Sequence, residues 1–258
     1  MAELSPSTEP QKVILDIKFD EFVKSILPLY AGASVTIYVG SQDHKYTLPK
    51  NLLCKQSPYF SAMFTGGFKE GEQQTATLEL VDGVVSVRSF EMLAQWLCIG
   101  RIVFKEYTSE VSTPEASTQE ESITAAIEFS RLADMYGIIG MESRVAAHIR
   151  DIILSSPPPL SWNLEKNTHY ITSGHIISAS HLPQGHAVRE VLAMASVEGY
   201  MLFDHHKFSE EAQCVANFSA DLLKAVKETM NSIHHNRYRV EFKNPVSGKT
   251  FGLESRFS

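Results

Sequence analysis

Apolar residues alternate with polar ones at Val35, Ile37 and Val39 and stop at Gly40, the period-two pattern of a strand with one buried face. A second extended piece comes around Tyr46 to Leu48 after a polar SQDH turn, so the two predict a hairpin. The period then becomes helical. Leu52 and Leu53 sit in a short apolar helical run, Ser57 is a good N-cap with Pro58 at the first helical position, and Tyr59, Phe60, Met63 and Phe64 fill the next turns before Gly66-Gly67. Alternation returns over residues 77–81, which predicts a third strand. After Gly83, Phe90, Leu93, Ala94 and Leu97 recur at helical spacing, with Gly100 placed to end that helix.

Upstream, the first twelve residues are rich in Ser, Pro, Thr and Glu and read as a disordered tail. Phe19, Phe22, Val23, Ile26 and Leu27 then fall on one helical face that Pro28 ends. Downstream, residues 105–121 turn polar and acidic, with Glu106, Glu110, Glu115, Glu120 and Glu121 against Lys105 alone, which predicts an inserted loop. Ser117 and Glu120 have capping-box spacing for the next helix, whose apolar face is Ile123, Ala126, Ile127, Phe129, Leu132, Ala133 and Tyr136, ended by Gly137. A further helix over residues 141–154 buries Val145, Ala146, Ile149, Ile152 and Ile153. The proline run in residues 155–160 cannot be helical and marks a boundary. Helices are predicted beyond it over residues 175–182, 187–200 and 218–233, and residues 236–258 read as either a terminal hairpin or a disordered tail. The domain plan is therefore a tail over 1–12, a first domain over 13–154 containing the acidic loop, a linker over 155–160, a helical region over 161–235 and the terminal segment.

The order of elements, the segment LPKNLLCKQSPYFSAMFTGGFKE and the closing FEMLAQWLCIGRI resemble a BTB/POZ domain, over residues 35 to about 153. The resemblance implies an α+β domain, a small sheet flanked by helices, that works by protein association and not by catalysis; here an α-helical extension comes after it. That extension, through YITSGHIISASHLPQGHAVREVLAMASVEGY, is similar to the C-terminal helical parts of fungal BTB proteins. Family members often carry Asp before the first strand and His before the Leu-Leu helix. This chain has Ser34 and Pro49, which removes the basis for carrying over the partner pocket of the transcriptional members. The usual aromatic-Thr-Gly helix end is Cys98-Ile99-Gly100 here.

The resemblance implies two contact surfaces. BTB dimers commonly pack an extra N-terminal helix against the partner subunit, which makes Phe19, Phe22, Val23, Ile26 and Leu27 dimer-interface candidates, the alternative being a helix that packs on its own domain. Members that recruit a cullin use a hydrophobic residue, any residue and Glu in the loop after the MFTGG helix end; Phe68 and Glu70 match, with Tyr59 as an added contact candidate. The alternative is that Phe68 folds back on its own domain. The expected function is a non-enzymatic, homodimeric adaptor for a cullin-RING ubiquitin ligase that also binds a client protein. The rival is an oligomerisation or transcriptional co-regulator scaffold with no ubiquitin role.

Composition narrows the rest. With 258 residues, 43% apolar and 21% charged, the chain can bury a core over most of its length. Its net charge of -7 and lack of a Lys/Arg cluster argue against direct nucleic-acid binding. No leader pattern and no stretch of ~20 apolar residues is present, so no membrane partner is expected, and a cytoplasmic or nuclear location is. Cys54, Cys98 and Cys214 are too widely spaced to suggest disulfides or zinc, which fits a reducing compartment. Ten histidines invite a metal search. The pairs His205-His206 and His234-His235, if helical, would point about 100° apart and form no two-ligand face. His175, His181 and His186 lack a Cys or carboxylate at ligand spacing, so surface or capping roles are expected. Neither GxSxG, GxGxxG nor a Walker-type loop occurs, and no internal repeat is found. No catalytic residue, metal or cofactor is expected.

Overall fold

A computed structural model describes residue 14 and residues 17–104, 115–155, 167–236 and 239–254. The chain forms two compact units, one made of Met1–Val103 with Leu132–Met141, the other of Phe104–Arg131 with Glu142–Ser258. The expected tail over 1–12, residues 156–160 of the expected linker and most of the acidic loop fall outside the described residues, while Ser155, expected in the linker, ends a helix.

The first unit is built on strand β1 (Ser34–Val39), whose Val35, Ile37 and Val39 are fully buried on one face as their alternation requires. Strand β2 (Ser41–Pro49) pairs with it antiparallel and β3 (Thr75–Leu78) pairs parallel on its other side, giving the order β2-β1-β3. The parallel pair needs a crossover, and helices α2 (Lys50–Gln56), α3 (Pro58–Thr65) and α4 (Lys69–Gln73) supply it. Two strand expectations are corrected. The SQDH segment is part of β2: Ser41 faces Val39 and Lys45 faces Tyr38, so the register shifts between them around residues 42–44. The third strand starts at Thr75 and ends at Leu78, and Val81 instead bridges Val85 across a tight turn. Helix α5 (Val87–Ile99) closes the unit, with Phe90, Leu93, Trp96 and Leu97 buried. Ser86 caps it, accepting from the Ser89 amide while Ser89 Oγ accepts from the Ser86 amide, and Gly100 ends it at φ +67.

The N-terminal helix also departs from expectation. It is a turn of α-helix, α1 (Phe19–Glu21), then a π-helical turn over Phe22–Ile26 and a 3-10 turn over Leu27–Tyr30, so Pro28 lies inside it. Pro28 is tolerated because it stands in the first turn of the 3-10 segment, where its missing N–H has no helical partner to lose. Ile26 is buried in its own unit, Phe22 is half-buried, and Phe19, Val23 and Leu27 are exposed.

Helix α6 (Glu115–Met135) starts before Ser117, upstream of the expected capping pair. Its predicted apolar residues from Ile123 to Tyr136 are all buried, the first four in the second unit and the last three in the first. The second unit further contains α7 (Glu142–Ser155), α8 (Ser173–Ala179), α9 (Ala187–Leu202), α10 (Glu211–Cys214) and α11 (Ala216–Met230). Helix α9 packs on both α7 and α11, and buries a charged side chain, Arg189, which bonds Asp221 Oδ2 at 2.7 Å, Leu182 O at 2.8 Å and Asn217 O at 3.2 Å. The terminal segment folds as a sheet of three strands, β4 (His234–Asn236), β5 (Arg239–Lys243) and β6 (Thr250–Glu254), in that order. The expected hairpin is β5–β6, with Phe242 facing Phe251; β4 and α10 were not legible in the periodicity.

Candidate interaction surface

Within the first unit, the surface that carries Phe68 is built from Ser57 onward. Ser57 is fully buried and does two things at once: its Oγ accepts from the Phe60 amide at 3.2 Å, capping α3, and donates to the Tyr136 carbonyl at 2.6 Å. Tyr136 then packs among the aromatics of α3, its ring 5.0 Å from that of Phe60 and stacked on that of Tyr59 at 4.7 Å. Burial, and secondarily Tyr59, raises the Tyr136 phenol well above its ordinary pKa. Tyr59 therefore leans on its own unit while keeping 39% of its surface exposed.

Helix α3 ends at Gly66, where a side chain has no room: an added Cβ would lie 2.3 Å from the Ala62 carbonyl oxygen and 3.0 Å from the Phe68 ring. Gly67 comes next at φ +70, a backbone angle that costs an L-residue and not glycine. These two glycines turn the chain so that Phe68 precedes α4 in extended conformation (φ -82, ψ 163) with 58% of its surface exposed. Glu70, in the first turn of α4, stands next to that helix's N-terminus, where a carboxylate is favourable. Helix α4 itself buries no side chain. Phe68 and Glu70 thus share one short turn, while nothing in the geometry brings Tyr59 into contact with them. Sequence reading missed the Gly66 contact with Phe68 and the left-handed residue Gln74 behind α4; the paired glycines were the one visible signal.

Elsewhere the polar groups look structural. Tyr46 donates to Glu91 Oε1 at 3.0 Å, and burial together with that carboxylate pushes its phenol up to about 12. Burial also raises the thiol pKa of Cys54, against the opposing effect of Lys50, and that of Cys98, which favours the neutral thiol. His175 and His186 are capping residues, His186 Nδ1 accepting from the Val188 amide at 3.2 Å. The His234-His235 pair lies on strand β4 and not on a helix. No cluster of three or more His, Cys, Asp or Glu able to hold a metal occurs among the described residues, and no helix there is long and apolar enough to cross a membrane.

Comparison with protein families matches residues 31–130 to the BTB/POZ domain. The chain carries a BTB/POZ domain. This places β1 through most of α6 in a fold that mediates dimerisation and partner binding, and fits the α+β order read from the sequence. Among curated proteins the chain is similar to Kelch repeat and BTB domain-containing protein 6 of Homo sapiens, 38% identical over 61 residues, and to Kelch repeat and BTB domain-containing protein 7 of Homo sapiens, 36% identical over 61 residues. Each match covers 24% of this chain and 8% of the relative, so the likeness is confined to a small part of both. The region after the BTB/POZ match, including α7 to α11 and the terminal sheet, lies outside it.

Proposed function

We propose that this BTB/POZ protein is a non-enzymatic adaptor of the cytoplasm or nucleus that dimerises and holds a cullin scaffold, with its C-terminal helical region engaging a client protein. The exposed Phe68 beside Glu70 carries the reading. An apolar ring left in water forgoes roughly 1.5–3 kcal/mol of burial, and this one stands on a turn that two glycines shape. A hydrophobic residue with Glu two positions on is the pattern that cullin-recruiting members of the family use in this loop. Dimerisation is supported by the BTB/POZ fold and by the exposed Phe19, Val23 and Leu27, spaced four residues apart. A dimer would also present two client sites, raising the effective concentration of the second contact.

The test is light scattering on the purified chain at several concentrations, alone and mixed with a cullin N-terminal domain. A dimer that captures the cullin domain and releases it on Phe68→Ala or Glu70→Ala is expected. Because Phe68 is mostly exposed, its truncation should change stability by no more than about 0.5 kcal/mol. A dimer indifferent to the cullin domain would point to the scaffold reading, and a monomer would remove the role given to Phe19, Val23 and Leu27.

A further inference from the structure

Gln74 is the one non-glycine residue with positive φ among the described residues (φ 51, ψ 36), and it sits directly behind the helix that carries Glu70. The left-handed region costs an ordinary L-residue roughly 1–2 kcal/mol, so such a residue persists only where its surroundings hold it. Here they do. The Gln74 amide donates to the Glu70 carbonyl, closing α4, and the Gln74 carbonyl accepts from the Thr36 amide at 3.0 Å, tying that closure to the central strand β1. Its side-chain Nε2 donates back to the Gly71 carbonyl, while the Oε1 of the same amide is buried with no hydrogen-bond partner.

These bonds matter because little else fixes α4. The helix buries no side chain and has no side-chain cap at its N-terminus. Its second attachment is the flat approach of Gly71 to the end of α3, where an added Cβ would lie 3.2 Å from the Phe64 carbonyl oxygen and 3.3 Å from that of Met63. At the other end, a Cβ added at Gly67 would meet nothing within 4 Å.

We propose that Gln74 is the positioning residue of the docking turn: its left-handed backbone, bonded to the Glu70 carbonyl on one side and the Thr36 amide on the other, fastens α4 to the sheet and so keeps Phe68 turned outward. The inference rests on reading Phe68 and Glu70 as the docking pair, but its structural half can be tested without any partner.

The experiment places Gln74→Gly and Gln74→Val in the full chain, each with and without Phe68→Trp as an optical reporter. Glycine keeps the left-handed turn and loses only the side-chain bond to the Gly71 carbonyl; valine, being β-branched, tolerates that turn poorly. After subtraction of the matching reporter-free protein, which keeps the chain's two native tryptophans, Gln74→Val should alter the emission and acrylamide quenching of the reporter indole, while Gln74→Gly leaves them close to the parent. Without it, Gln74→Val should weaken capture of a cullin N-terminal domain about fivefold or more, and Gln74→Gly should rescue most of that loss. The melting transition should stay cooperative in both, since α4 adds nothing to the core. An unchanged indole signal in Gln74→Val would overturn the proposal, as would global unfolding, which would make Gln74 a fold residue. Should the parent chain not bind the cullin domain, the docking reading fails while the indole signal still decides the role of Gln74.

Discussion

Acidification should destabilise the second unit through His175, by an amount the geometry sets. His175 is 4% exposed and bonded at both ring nitrogens. Its Nδ1 accepts from the Thr172 amide at 3.0 Å, closing a capping box with Thr172 Oγ1 that starts α8. Its Nε2 lies 2.9 Å from Thr124 Oγ1, whose own proton goes to the Glu120 carbonyl at 3.0 Å, so Nε2 carries the imidazole proton and Nδ1 carries none. A second proton would have to enter at Nδ1, against a backbone donor. Burial first, and Lys207 as a further cationic influence, bring the pKa down from 6.5 to about 4, against the opposing effect of the Glu120 carbonyl.

The folded pKa lies below the unfolded one, so the unfolded chain binds the proton more readily. The contribution is fully present above about pH 6.5 and is lost as pH falls from there towards 4. At 1.36 kcal/mol per unit the full loss is about 3 kcal/mol, of which about 2 kcal/mol falls between pH 7 and 5. Other groups titrate over the same range, and the decisive quantity is a difference. His175→Gln keeps an acceptor for the Thr172 amide at the third helical position and has no proton to gain. Urea unfolding of both proteins at pH 7, 6 and 5 should show the parent losing about 2 kcal/mol more than the variant. Parallel losses, or a His175 resonance that titrates near 6.5 in the folded protein, would refute the reasoning.

Two further outcomes bear on the packing. Ser57→Ala strands the Phe60 amide and the Tyr136 carbonyl in the core of the first unit and should cost about 2 kcal/mol by chemical denaturation, where a change within the scatter of surface variants would contradict its double role. Asp221→Asn removes the carboxylate from buried Arg189 and should cost about 3–5 kcal/mol, whereas replacing both residues by apolar ones of similar volume should recover much of that loss.

Much of the fold was legible in the chain because its signals are local. Alternation gives β1, since a strand with one buried face must repeat every two residues, and Val35, Ile37 and Val39 do. Ser57-Pro58 and Gly100 bound α3 and α5 because caps depend on neighbouring residues alone. The Phe68 and Glu70 pair was singled out by the resemblance to the BTB/POZ family and not by any local pattern. Where two local readings competed, the chain was less decisive. The N-terminal apolar residues fit a single α-helix, yet the segment changes to π and 3-10 winding and buries Ile26 apart from Phe19, Val23 and Leu27. Ser117 and Glu120 had capping-box spacing, but α6 begins upstream of both.

The long-range pairings were decided only by the tertiary structure. The Ser57 bond to Tyr136, the Thr124 bond to His175 and the Thr36 bond to the Gln74 carbonyl each join residues far apart in the chain, and no spacing rule reaches across such a separation. The left-handed turn at Gln74 belongs with them. Nothing in the residue type asks for that backbone, and it exists because contacts made by the folded sheet and helix compensate a strain the isolated segment would shed.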